Sequence, residues 1–396
     1  MRVRTGFWAL VGLLAACAGE AGPEWAGTID TLPGGQVVVT NPETGVWSDT
    51  LPWQVVEELR IGAEDGEGPE VFGRIGVLLE DAGGRIWALE STEQQFKVFD
   101  ATGRFIRTVG RKGGGPGEMR QAAGAALQGR DQVLVVDMSG ARISRFDTAG
   151  TYLEGYPISG GFQTYPWPGR VDRAGRLYNV IPYSRGEDFQ VAMVRYDSTM
   201  TPTDTILPPR WNSGLNFTHR TDGGSMSASI PHAPSLRWQL TQDGDFWSIR
   251  TDSYTLVRQA GNGDTLRLVT KPFTPAGVSG EEKDSAIAGL KWFTDQGGKV
   301  DRSRIPDVKP AAQGFLVAED GYLWVSPILA DTTTLGRVFE IFDPEGRYLG
   351  RLRLPFPMQS SPAPRLLGDH LVAVTQDEMG VPYIVRARIV KPTGDP

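Results

Sequence analysis

The chain has 396 residues, 40% apolar and 22% charged, with a formal net charge of −7. These values exclude a disordered polymer and a bundle of membrane helices, and they offer no basic surface for nucleic acid. A single cysteine excludes an intrachain disulfide, and with three histidines it leaves no basis for a Cys/His zinc cluster. The 50 glycines and 28 prolines are spread along the whole chain between 11 tryptophans, which favours many short strands over long helices.

The N-terminus reads as an export signal. Arg2 and Arg4 precede an apolar run at 7–16, and no acidic residue appears before Glu20. The run is shorter than the roughly 20 residues a spanning helix needs. It ends in Leu14-Ala15-Ala16-Cys17, which resembles the lipobox of bacterial lipoproteins. That resemblance implies a signal peptide at 1–16, lipid attachment at Cys17, and a membrane partner reached through the lipid. Several acyl chains on one residue hold firmly where one chain binds only marginally. Ala18 stands where a lipoprotein retained in the inner membrane often has Asp, so the expected place is the periplasmic face of the outer membrane in a Gram-negative host. Residues 17–44 are expected to form a tether.

From residue 45 to 391 one pattern recurs. A turn ending in Gly leads into a short apolar strand, then a strand ending in aromatic-Asp, a second turn and a third strand. The clearest copy begins Asp81-Ala82-Gly83-Gly84-Arg85-Ile86-Trp87 and continues through Phe99-Asp100-Ala101-Thr102-Gly103-Arg104-Phe105. Ile86, Leu134, Leu177, Phe246, Leu323 and Leu371 anchor six such units, two of them lengthened by insertions. Apolar residues at period two, with Asp and Gly turns between, are strands. Six units of this size predict an all-β, six-bladed β-propeller. The strand at 55–62 arrives before the first full unit, while the last unit lacks its outer strand. The N-terminal strand is therefore expected to complete the C-terminal blade and hide both open edges. Residues 36–41 are expected to add a further strand there.

The Asp-x-x-Gly-Arg-Ile-Trp turn, Phe-Asp-x-x-Gly-Arg-Phe and the 109–118 segment Val-Gly-Arg-Lys-Gly-Gly-Gly-Pro-Gly-Glu resemble the six-bladed, NHL-repeat-like and TolB-like propellers found among bacterial lipoproteins. The resemblance implies a fold and leaves the substrate open.

The insertions lie on one side of the disc. Turns joining the first strand to the second, and the third to the fourth, are minimal. The long segments 207–235 and 270–312 are crossings between blades, and the 182–189 and 327–336 turns fall on their face. Binding residues concentrate on loops held by a rigid scaffold, so Trp211, His219, Arg220, His232, Arg237 and Trp238 are the candidate ligand contacts. Ser279 with Glu282 forms a capping box, and Ile287, Leu290 and Phe293 follow at helical spacing before Gly297-Gly298, so 270–312 holds a helix. This helix serves either as a lid or as a structural patch.

No catalytic residues, metal ligands or cofactor are assigned. Gly113-Gly114-Gly115-Pro116-Gly117 lacks the Gly-Lys-Ser/Thr ending of a phosphate loop. Six cations, Arg74, Arg120, Arg170, Arg237, Lys309 and Arg365, lie near the starts of inner strands, but their spacing to the anchors differs from blade to blade. The reading is a non-catalytic lipoprotein that binds a peptide, a glycan or an envelope protein through its elaborated face. The alternative is a metal-dependent hydrolase or lyase of the lactonase-like propeller class, to which His219 and His232 could give two ligands.

Overall fold

The computed structural model describes residues 25–47, 53–158, 167–185, 188–211, 215–221, 224–330 and 336–391. The signal segment, Cys17 and part of the 182–189 and 327–336 turns lie outside them. Six antiparallel four-strand units follow one another around a ring, each anchor residue lying in a second strand. Blade 1 comprises Ile75–Glu80, Ile86–Glu90, Gln95–Phe99 and Phe105–Val109; blade 2 comprises Ala122–Gln128, Gln132–Asp137, Arg142–Asp147 and Tyr152–Pro157. Blade 3 is built from Arg170–Val171, Leu177–Arg185, Asp188–Tyr196 and Pro202–Ile206, and blade 4 from Leu236–Leu240, Phe246–Arg250, Thr255–Gln259 and Thr265–Thr270. Blade 5 contains Ala312–Val317, Leu323–Pro327, Val338–Phe342 and Tyr348–Arg353. Blade 6 takes Arg365–Leu367, His370–Gln376 and Pro382–Val390 from the C-terminal end and Gln54–Ile61 from the N-terminal end. The pairs Ile61↔Ile384 and Val55↔Ile389 close the ring, as the strand count requires.

The further N-terminal strand forms at a different place from the expected one. Val37–Thr40 runs parallel to Thr265–Thr270 on the outside of blade 4, and Thr28–Thr31 pairs beyond it. Blade 6 has its outer position filled by Gln54–Ile61, so the earlier strand adds to the free edge of blade 4. Asn41 then pins the chain as it leaves. Its amide donates to Thr270 O at 3.2 Å and Gly346 O at 2.9 Å, and its oxygen accepts from Tyr348 N at 2.6 Å and Trp25 Nε1 at 3.0 Å. Trp47 N donates to Leu349 O at 2.7 Å. The N-terminal segment thus passes along the outside of blades 4, 5 and 6.

The repeated aspartate turns are structural. Asp81 Oδ1 accepts from Gly83 N and Arg85 N at 2.9 and 3.1 Å, while Oδ2 accepts from Arg85 Nε and Trp87 Nε1 at 2.8 and 3.0 Å. Asp172 repeats the set with Ala174 N, Arg176 N, Arg176 Nε and Tyr178 OH. Asp343 bonds Arg347 N and Nε at 2.8 and 2.6 Å. Each carboxylate is buried and fully engaged by its own turn and the strand that follows, so the motif that carries the family resemblance builds the blade.

Neighbouring blades meet in apolar seams. Trp87, Phe96, Val133 and Phe146 join blades 1 and 2, and Leu134, Ile143 and Leu177 join blades 2 and 3. Tyr178 and Phe246, Trp247 and Phe342, Trp324 and Leu371, and Ile61 and Phe99 mark the next four. At several seams a glycine at positive φ lets a turn touch the adjacent blade, as two of them show. A Cβ on Gly150 would stand 2.5 Å from Val109 Cγ2, and one on Gly346 would stand 2.5 Å from Val269 Cγ2.

The two long insertions flank blade 4 and pack on each other. The hairpin Asn216–Thr221/Gly224–Ser229 comes from the first. Helices α1 (Gly280–Gly289) and α2 (Lys291–Thr294) come from the second, and α1 carries the Ser279/Glu282 capping box. Phe217, Ala228, Ile230, Phe293 and Ile305 form their common core, with Ile287 and Leu290 packed against it. Lys309 Nζ bonds Glu282 Oε1 at 2.5 Å, and Lys283 Nζ bonds Asp307 Oδ1 at 2.6 Å. These contacts make one cap on the loop-rich face.

Candidate functional site

The first strands of the blades enclose a central channel with two chambers. The upper chamber, of about 200 Å³, lies toward the loop-rich face, between 76–78, 123–125, 167–170 and 362–363 at or before the starts of first strands and 238–240 of the blade 4 first strand. The lower chamber, of about 130 Å³, lies at the opposite mouth, where Glu80, Gln242 and Glu319 sit at the strand ends. Arg170, Gln239, Ala363 and Arg365 line both and form the waist between them. No described cap residue contributes to either wall.

The ladders explain how the two arginines come together. In each blade one first-strand residue pairs with the position just after the anchor. In blades 1 to 6 it is Leu79, Ala125, Arg170, Gln239, Leu316 and Arg365. All six line the channel. The position is charged only in blades 3 and 6, which face each other across the ring. Arg365 Nε donates to Leu78 O at 3.1 Å and Nη2 to Ala125 O at 3.2 Å, crossing to blades 1 and 2. Arg170 Nη1 donates to Leu240 O at 3.0 Å in blade 4.

The electrostatics of the waist follow from burial. Arg365 is pushed down to about 10 by desolvation and then by the charge of Arg170, with Glu319 acting in the opposite sense. Burial also holds Arg170 below the usual guanidinium range, again opposed by Glu319. Gln239 Oε1 accepts from Val317 N at 2.7 Å, which ties blade 4 to blade 5, and Gln242 Nε2 bonds the Glu319 carboxylate. At the lower mouth, burial pushes the Glu80 carboxyl up, against the pull of Arg386 at 3.7 Å. Glu80 Oε2 is buried without a hydrogen-bond partner among the described residues.

The sequence-derived candidates are spread over several elements. Trp238 stands in the upper chamber wall, edge-on to Phe246 with ring centroids 5.6 Å apart. Arg237 is exposed on the same strand. His219 and Arg220 lie in the cap hairpin, where His219 packs over Gly297. His232, in the turn after the hairpin, is half-buried, and burial lowers its pKa. Trp211 lies under the Arg250 guanidinium at 5.3 Å. Among the six cations near inner-strand starts, only Arg170 and Arg365 line the chambers, while Lys309 belongs to the cap. Gln239, Gln242, Glu80 and Glu319 were not singled out by sequence; the ladder position shared by Arg170, Gln239 and Arg365 is the signal that finds the waist. Among the described residues no group of three or more His, Cys, Asp or Glu side chains stands close enough to hold a metal ion.

A family model described as a six-bladed β-propeller matches residues 71–244, which span blades 1 to 3 and the start of blade 4. The chain is a six-bladed β-propeller. No curated protein matches it. Among solved structures, it is similar to a Bacteroides fragilis protein whose name infers export. Identity is 12%, TM-score 0.51, and the match covers 89% of this chain and 100% of that one. It is also similar to a streptogramin B lyase, at 9% identity and TM-score 0.41 over 85% of this chain and 98% of that one. A third neighbour is a calcium-binding protein, regucalcin, from Agrobacterium tumefaciens, at 13% identity and TM-score 0.40 over 89% and 97%. These likenesses concern the fold alone.

Proposed function

We propose that the protein is an exported, lipid-anchored propeller that binds a ligand in its central channel, reached from the loop-rich face. One observation carries the reading: two chambers meet at a waist lined by Arg170, Gln239 and Arg365, polar groups converging at the foot of an upper chamber whose other described walls are apolar. Trp238 reaches that cavity from the strand that follows the first cap segment. The Leu14-Ala15-Ala16-Cys17 sequence supports attachment through Cys17.

Native mass spectrometry of the mature chain, extracted from membranes, tests the channel reading. A bound small molecule that is lost in Trp238→Ala and in Gln239→Ala supports it. A ligand retained by both variants refutes it. The anchor is tested separately: a Cys17→Ala chain that stays in the membrane fraction refutes lipid attachment there.

A further inference from the structure

We infer that the channel waist is an anion site, where Arg170 and Arg365 jointly take the carboxylate or phosphoryl group of a small organic ligand whose apolar body lies against Trp167 and Trp238. The inference rests on the channel reading and adds the ligand's chemistry.

Charge balance is the first ground. The turn arginines of this propeller are matched with carboxylates, Arg85 with Asp81, Arg176 with Asp172 and Arg347 with Asp343, at 2.6–2.8 Å. Neither Arg170 nor Arg365 has a carboxylate within ion-pair distance among the described residues. Two half-buried cations with no carboxylate at ion-pair distance, sharing only the longer-range field of Glu319, are costly unless a counter-charge reaches them. Among the described residues, the walls of the upper chamber hold no Asp or Glu, and their charged side chains are these two arginines. The carboxylates Glu80 and Glu319 line only the lower chamber, so an anion entering from above meets two cations before any like charge.

Donor supply is the second ground. A guanidinium carries five N–H donors in a fixed fork suited to oxyanions. Arg365 commits two of them to Leu78 O and Ala125 O, and Arg170 commits one to Leu240 O. Those bonds brace both side chains from several blades, and the remaining donors stay available. Gln239 has its oxygen occupied by Val317 N, which leaves its amide N–H groups as additional donors at the same waist. The rest of the upper chamber is apolar or aromatic: Val77, Leu78, Trp167, Pro168, Trp238 and Pro362.

The test uses the mature full chain at fixed ionic strength, with benzoate and phenyl phosphate as anionic probes and benzamide as the neutral counterpart of benzoate. Calorimetric titration should show saturable binding of at least one anion, with benzamide about tenfold or more weaker, as loss of charge-assisted bonds implies. Arg170→Gln and Arg365→Lys should each weaken the anion about tenfold, and the exposed Arg353→Gln should leave it unchanged. Arg170→Gln removes only one backbone bond, which guards against a folding defect in the Arg365 variant. Comparing benzoate with phenyl phosphate separates a carboxylate ligand from a phosphorylated one. If neither anion binds, or if anion affinity survives in both variants, the inference falls. Benzamide binding as tightly as benzoate, lost in Trp238→Ala, would overturn the anion site and leave the channel reading standing.

Discussion

Asp81→Asn and Asp172→Asn together isolate the strength of one buried hydrogen bond in the repeated turn. Asparagine keeps an oxygen for the two turn amides. It replaces Oδ2 with an NH₂ group, and that group then faces Arg85 Nε at 2.8 Å and Trp87 Nε1 at 3.0 Å, donor against donor. Turning the amide over only moves the conflict to the turn. Arg85 is 28% exposed and can turn to water, but the Asp81 side chain and Trp87 are fully buried. Losing two charge-assisted bonds and orphaning the indole N–H should cost about 3–5 kcal/mol. In blade 3 the matching partner is Tyr178 OH at 3.1 Å. A hydroxyl can rotate from donor to acceptor, whereas an indole N–H can only donate. Asp172→Asn should therefore cost less, about 2–3 kcal/mol. Urea unfolding followed by tryptophan fluorescence measures both, provided the denaturant slope is unchanged. Equal losses in the two variants, or a larger one for Asp172→Asn, would refute the account of the turn.

Three further outcomes follow from the seams and the cap. Ile61→Ala removes a side chain that is 3% exposed where the ring closes and should cost about 2–5 kcal/mol in urea unfolding, whereas Val56→Ala, at 42% exposure on the same strand, should stay within about 0.5 kcal/mol. Gly150→Ala combines a left-handed backbone with overlap on Val109 and should cost about 2–4 kcal/mol, with Gly263→Ala, also at positive φ but with open space around it, costing less. Acid should loosen the cap. Glu282 is lowered to about 2, from an ordinary value near 4.5, by its bonds to Lys309 and to Ser279 N, and Lys283 lowers Asp307. A lowered carboxylate contributes stability above its unfolded value and loses it as pH falls toward the folded one. Hydrogen exchange at 280–294, corrected for intrinsic rates, should therefore accelerate between about pH 4.5 and pH 2. Protection that holds through that range, or a Glu282→Gln variant with the same pH profile as the parent, would contradict it.

Features that a few neighbouring residues decide were legible in the sequence. The Asp81 turn is closed by atoms within six positions, so its motif announces the turn and the strands around it. Ring closure was legible by counting, because a blade missing its outer strand leaves an edge that the leftover N-terminal strand can fill. The position of Val37–Thr40 was not, since it depends on Asn41 reaching Gly346 and Tyr348, more than 300 residues away. The cap likewise rests on Phe217 and Phe293 meeting across an intervening blade.

The channel waist shows the same limit in a sharper form. Arg170 precedes its anchor Leu177 by seven residues, and Arg365 precedes Leu371 by six, a mismatch that argues against a common role when only spacing is counted. The ladders remove it. Arg170 pairs with Tyr178 and Arg365 with Val372, each the residue after its anchor, because the turn in blade 6 is one residue shorter. A strand's inward face is set by its pairing partner, so a shorter turn changes the sequence offset without changing which side chain enters the channel. Equivalence between blades therefore has to be read from the ladder. On that basis two of the six cations share one position on opposite sides of the axis, and the other four do not.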